Sequence, residues 1–115
     1  MTNIPPGISY HHKFVLDDTG SSVVETYTMD NTIEEFRIIS MKVVVSDSTA
    51  DPLKHTLTLE TINPKNVESI NSVSKSDVLL NEEVLFKIGC FKDSTTFKFS
   101  VSGSAGESGA ILITY

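Results

Sequence analysis

The chain has 115 residues and a formal net charge of −6, with 15 acidic side chains against 9 basic ones. This length fits one domain, and the acidic balance argues against nucleic-acid or anionic-membrane partners, which require a basic surface. Val, Ile, Thr, Phe and Tyr account for 42 residues, against 3 Ala and no Gln. Branched and aromatic side chains favour pleated sheets, so the composition predicts an all-β domain.

Residues 1–9 predict an extended N-terminal arm ahead of a single β-sandwich domain at 10–115. Pro5-Pro6-Gly7 disfavours helix and strand pairing, and Ile4 and Ile8 flank this stiff unit. The segment carries little apolar surface with which to anchor itself on its own domain. We therefore predict an assembly arm in which Ile4, Pro5, Pro6 and Ile8 dock on a partner subunit. The alternative is a tail that covers a sheet edge of its own domain.

From residue 10 onward, short apolar runs alternate with turn residues. They predict strands at 10–16, 22–28, 53–60, 84–91, 95–101 and 110–115. The run at 33–45 is too long for one flat strand, and a bend or a break near Ser40 is expected. Residues 67–80 suit either a short helical turn or strands, and the glycines of 102–109 predict a flexible loop. About eight to ten strands are typical of an antiparallel β-sandwich, and a jelly roll is one arrangement of it.

Alternating apolarity predicts the core side chains. They are Phe14, Val15 or Leu16, Val24, Phe36 or Ile39, Val44, Leu57, Leu59, Phe86, Ile88, Phe97, Phe99, Ile111 and Ile113. His55 falls on the apolar face of 53–60, which predicts a core or interface histidine rather than a metal ligand. Cys90, the only cysteine, continues the apolar face of 84–91 and is expected to be a small buried residue.

The motif Asp18-Thr19-Gly20-Ser21 follows the apolar run Phe14-Val15-Leu16 and resembles the active-site signature of aspartic proteases. The resemblance implies a dimer in which two Asp18 carboxylates share one proton and activate a water. The same residue types also form β-turns, with Gly20 at positive φ. The covering flap of that family is rich in glycine, and no Gly occurs between Gly20 and Gly89. The turn interpretation is therefore the prediction, with Asp18 as a turn residue.

Several predicted turns carry carboxylates, which we expect to be solvated, with calcium binding at one end of the sandwich as the alternative. Neither a Ser-His-Asp nor a Cys-His arrangement is present at a recognisable spacing. We therefore expect no catalytic residue, no metal and no cofactor. Met1–Tyr10 lacks the pattern of a secretory signal, and the single cysteine suits a reducing cytoplasm.

These observations leave three hypotheses for the function. The first is a non-enzymatic structural or assembly subunit, such as a capsid, cement or decoration, or tail protein of a virion, made in the host cytoplasm and packed against neighbouring subunits. The second is a β-sandwich module that recognises a carbohydrate or a receptor. The third is the dimeric aspartic protease that uses Asp18. The first is the prediction, and it implies protein partners.

Overall fold

The computed structural model describes residues 4–115, and every regular element within that range is a strand. The strands are β1 (Ser9–Val15), β2 (Ser21–Asp30), β3 (Phe36–Ser46), β4 (Lys54–Asn63), β5 (Asn66–Leu79), β6 (Val84–Gly89), β7 (Ser94–Ser102) and β8 (Ser108–Thr114). Within these residues, no helix is long and apolar enough to span a membrane. The all-β class is as predicted.

The strands form two four-stranded antiparallel sheets. Sheet I has the order β1-β8-β3-β6, and sheet II has the order β2-β7-β4-β5. The pairings are nested: β1 pairs with β8, β2 with β7, β3 with β6, and β4 with β5. Two further pairings, β3 with β8 and β4 with β7, join these ribbons into the two sheets.

One hydrophobic cluster lies between the sheets and takes side chains from both of them. Nine predicted core residues are buried there: Phe14, Leu57, Leu59, Phe86, Ile88, Phe97, Phe99, Ile111 and Ile113. Where the sequence left a choice, Leu16 and Ile39 are buried, whereas Val15 and Phe36 are exposed. Val24 is half-buried and packs against the cluster.

The prediction for Val44 was wrong by one residue, because Val43 continues the buried alternation of Ile39 and Met41. A register shift between Val43 and Val45 follows, and Val44 is only half-buried. A bulge of this kind moves side chains to the other face without changing the apolar composition of the strand. The predicted break near Ser40 is also wrong, since β3 runs through Ser40 and the chain bends before Phe36.

Residues 67–80, left open between helix and strand, form most of β5, the longest strand. This is an edge strand of sheet II, and most of its side chains are exposed. Only Val78 is buried, so the strand lacks the alternating apolar residues by which sequence patterns identify strands.

The Phe99 side chain is fully buried and stacks near Phe97, with 6.5 Å between the ring centroids. We expect Phe99→Ala to lower the free energy of unfolding by about 3–5 kcal/mol, because it leaves a cavity in the core. Phe36→Ala, at a half-exposed ring, is the matched control and should cost roughly 1 kcal/mol. Denaturant unfolding measures both. Equal costs for the two substitutions would contradict the placement of Phe99 in the core and of Phe36 on the surface.

Candidate functional site

The Asp-Thr-Gly-Ser motif forms the loop between β1 and β2. Asp17, the residue before the motif, organises this loop: its Oδ1 accepts hydrogen bonds from Thr19 N at 2.9 Å and from Thr19 Oγ1 at 2.6 Å. These bonds, above all the one from the Thr19 side chain, lower the pKa of Asp17. Gly20 has a φ of 76°, as predicted, and a Cβ there would lie 2.5 Å from the Gly103 carbonyl oxygen. Thr19, Gly20 and Ser21 thus have roles in the turn, and the carboxylate that organises it is Asp17 rather than Asp18.

Asp18 lies exposed in this turn, as predicted. We expect Asp18→Asn to leave the fold intact and to leave peptide hydrolysis at mildly acidic pH at the background level of buffer. Purified wild-type protein and the variant, incubated with a mixed peptide library, provide the measurement. Cleavage by the wild type that the substitution abolishes would contradict the turn interpretation.

A buried hydrogen bond between a histidine and a carboxylate joins β4 to the loop between β7 and β8. His55 Nε2 lies 2.6 Å from Glu107 Oε2, and both side chains are completely buried. Glu107 Oε2 also accepts a hydrogen bond from Ser46 Oγ, and Oε1 accepts one from Ser104 N at 3.1 Å. His55 Nδ1 has no hydrogen-bond partner among the described residues. The pair therefore fixes β3, β4 and the 103–107 loop to one another.

The burial of Glu107 corrects the prediction of a flexible loop at 102–109. Burial raises the pKa of the Glu107 carboxyl. Hydrogen bonds from Ser46, His55 and Ser104 together lower this pKa by more than burial raises it, so the pKa is below its ordinary value. His55 was placed correctly on the buried face of β4. No apolar pattern marks Glu107, and the glycine-rich sequence around it indicates only a turn.

The lowered pKa of Glu107 predicts how stability depends on pH. The ionised carboxylate stabilises the fold at pH values above about 4.3, the ordinary Glu pKa, and this contribution is lost as the pH falls through the lower folded-state pKa. Glu107→Gln should cost roughly 3 kcal/mol at neutral pH, because it removes a buried carboxylate that accepts hydrogen bonds from Ser46, His55 and Ser104. The cost should shrink as the pH is lowered from about 5 towards 2.

Urea unfolding of wild type and Glu107→Gln at several pH values gives this difference directly. Glu68→Gln, at an exposed position of β5, is the control and should change stability by no more than about 0.5 kcal/mol at any pH. A cost of Glu107→Gln that does not vary with pH would contradict a stabilising carboxylate.

Several carboxylates lie at the end of the molecule that contains the His55–Glu107 pair. We call it the acidic end, defined by the loops 16–20, 47–53, 80–83 and 103–107. Hydrogen bonds connect them: Gly103 N donates to Gly20 O at 2.8 Å, and Asn81 N donates to Val43 O at 2.8 Å near the end of β3. The loops contain seven carboxylates and no Lys, Arg or His: Asp17, Asp18, Asp47, Asp51, Glu82, Glu83 and Glu107.

Four of these carboxylates accept hydrogen bonds that hold the loops. Asp17 accepts the bonds within its turn, and Asp47 Oδ1 accepts one from Ser108 N at 2.8 Å. Glu82 Oε1 accepts one from Leu79 N at 3.0 Å, and Glu107 accepts the one from Ser104 N. Within residues 4–115, no group of three or more His, Cys, Asp or Glu side chains is placed to hold a metal ion. The acidic end is a negatively charged surface because five of its carboxylates are exposed: Asp17, Asp18, Asp47, Asp51 and Glu83.

Three exposed apolar side chains lie together on the outer face of sheet I, whereas β7, a central strand of sheet II, presents Thr, Lys and Ser outward. Leu85, Ile38 and Phe36 are exposed at 67%, 56% and 47%. They are neighbours on the paired strands β3 and β6, where Ile38 lies opposite Lys87 and Ser40 lies opposite Leu85. We call Phe36, Ile38 and Leu85 the apolar patch. Exposed apolar groups that are contiguous mark interaction surfaces.

The same face carries cations and lacks carboxylates. The four strands of sheet I contain no Asp or Glu, although the chain as a whole has 15. Lys13, Lys42 and Lys87 alternate with buried neighbours and so point outward. The Lys87 ammonium lies 4.1 Å from the centre of the Phe36 ring, a cation–π contact at the rim of the apolar patch.

The predicted assembly arm begins at the opposite end of the molecule. Ile4 is half-buried and packs against the core, and its carbonyl accepts a hydrogen bond from Arg37 Nη2. Arg37 is buried, and its Nε lies 4.0 Å from Glu34 Oε2. Pro5, Pro6 and Ile8 are exposed. The arm therefore has contacts with its own domain, and its docking on a partner stays a prediction. Residues 1–3 lie outside the described residues.

Cys90 follows β6 and packs against the core. It was predicted to be a small buried residue, and it is half-buried. Burial, reinforced by the charge of Glu34, raises the pKa of its thiol to about 11. Because the thiolate is the nucleophile, a raised pKa makes Cys90 unreactive at neutral pH.

Three comparisons with known proteins were made. No family model matches the chain, and neither the curated proteins nor the solved structures contain a significant match. The function is therefore argued from the residues themselves.

The sequence reasoning missed the outer face of sheet I. One signal was available: the 36–45 run is apolar on both faces, and residues 9–15, 36–46, 84–89 and 108–114 are free of acids. This signal becomes visible only when these four segments are known to form one sheet.

Proposed function

We propose that the chain is a non-enzymatic structural subunit of a homomeric assembly, and that its fold is a jelly roll. The observation that carries the function is the apolar patch on the outer face of sheet I. An exposed apolar surface of this kind is costly in water, and a neighbouring subunit would bury it.

The nested strand pairing supports the jelly roll. A jelly roll has eight strands in two sheets, as if a long antiparallel ribbon had been rolled up. Pairing of each early strand with the corresponding late strand, from β1 with β8 inward to β4 with β5, is the pairing of such a ribbon.

Virion assembly is the setting that we propose for this subunit. The support is analogy at the level of the fold, because viral capsid domains are among the jelly rolls. Lectin domains and cupins use the same architecture, so the analogy also supports the alternative of a recognition module. A lectin usually offers aromatic platforms, and the described aromatic rings of this chain lie mostly in or against the core.

The test is the mass of the protein in solution over a range of concentrations, measured by sedimentation. We expect the wild type to associate and the double variant Ile38→Thr/Leu85→Thr to be at least about 10-fold weaker in association. Threonine keeps the preference for strand while removing apolar surface. The control is Val67→Thr, at an apolar residue of β5 in sheet II that is 69% exposed and lies outside the apolar patch.

Unchanged circular dichroism and unchanged unfolding of the monomer would show that the variants retain the fold. A wild type that stays monomeric at all concentrations would contradict the proposed assembly and favour the recognition module.

A further inference from the structure

We propose that the outer face of sheet I binds the acidic end of a second copy of this chain. The inference rests on the proposed function, self-assembly, and goes beyond it by naming the two surfaces that meet. The two surfaces are different: the acidic end of one copy contacts the outer face of sheet I of the next. We call this the head-to-face contact.

The first argument is the charge on the binding face. Lys87 adjoins the apolar patch opposite Ile38, Lys42 lies further along β3, and Lys13 lies on the other edge strand. No strand of sheet I supplies a carboxylate to neutralise these lysines. A contact between two copies of this face would bring lysines against lysines. Like charges that are brought together at an interface cost several kcal/mol, which disfavours a symmetric face-to-face dimer.

The second argument is the complementary surface on the same chain. The acidic end presents carboxylates without any Lys, Arg or His in its four loops. It also has an apolar group of its own, since Leu80 is 39% exposed in the loop that contains Glu83. The adjoining Leu79, at the end of β5 and opposite Lys54 of β4, is 48% exposed. An apolar and anionic surface thus matches an apolar and cationic one, and complementary potentials of this kind fix both specificity and orientation.

The third argument is that the two ends of the molecule differ. The loops at the other end, 31–35, 64–65 and 90–93, contain Glu34, Glu35 and Asp93 but also Lys65 and Lys92. Their net charge is close to neutral, so only the acidic end offers strong complementarity. Contacts between unlike surfaces repeat from copy to copy, and they produce rings or open chains of subunits.

Two charge-reversal variants test the contact. The face variant is Lys42→Glu/Lys87→Glu, and the end variant is Asp18→Lys/Glu83→Lys. Asp18 and Glu83 are exposed, whereas Asp17 and Asp47 bind loop N–H groups and are left unchanged. The control variant is Lys75→Glu/Glu68→Lys, which exchanges charges on exposed positions of β5.

We expect sedimentation to show that each test variant alone associates at least about 10-fold more weakly than the wild type, while the control variant associates normally. An equimolar mixture of the face and end variants should regain association, because the intact face of one binds the intact end of the other. Association of the wild type should also weaken from about 0.05 to 0.5 M NaCl, since salt screens exposed charges.

The outcomes separate the two proposals. A monomeric wild type would overturn self-assembly itself. A wild type that associates, with a face variant that is defective and an end variant that is normal, would overturn the head-to-face contact alone. So would association that neither variant weakens. Monomers that bind phosphatidylserine vesicles through Lys42 and Lys87 would assign the face to a membrane instead and would also overturn the proposal.

Discussion

The pairing of the first strand with the last determines the arrangement of this molecule. Ser9–Val15 lies antiparallel to Ser108–Thr114, so the first and last strands are neighbours in sheet I. The strands between them in sequence pair in nested order. Because successive strands alternate in direction, the β1–β2, β3–β4, β5–β6 and β7–β8 loops lie at one end. The β2–β3, β4–β5 and β6–β7 loops lie at the other.

Because the strands alternate in direction, acidic and non-acidic segments that alternate along the sequence are separated in space. The loops of the first set are acidic, and they gather into a single negatively charged end. The strands β1, β3, β6 and β8 lack carboxylates and gather into a single sheet. The result is a molecule with an anionic end and a face that is apolar and cationic. The His55–Glu107 pair stabilises the acidic end from within, because it joins β4 to the 103–107 loop through two fully buried side chains.

The sequence was informative where one physical effect dominated. Strict alternation placed Leu57, Leu59, Phe97 and Phe99 in the core, and the same alternation buried His55. It failed where a local irregularity or a distant partner decided the structure. In β3, the buried alternation Ile39-Met41-Val43 ends at a bulge, so Val44 is not in the core. The edge position of β5 removed the apolar alternation that marks a strand. Glu107 is buried against its hydrogen-bond partners His55 and Ser46. These partners are remote from Glu107 in sequence, so no local sequence pattern could predict the burial.

The most direct test of the head-to-face contact is zero-length carbodiimide cross-linking of an equal mixture of ¹⁴N- and ¹⁵N-labelled protein. This reagent joins a lysine to a carboxylate only when they are in contact, and mixed-isotope products identify links between copies. We predict intermolecular links from Lys42 or Lys87 to Asp18 or Glu83. Intermolecular links confined to lysines of sheet II, such as Lys54, Lys75 and Lys98, would contradict the account.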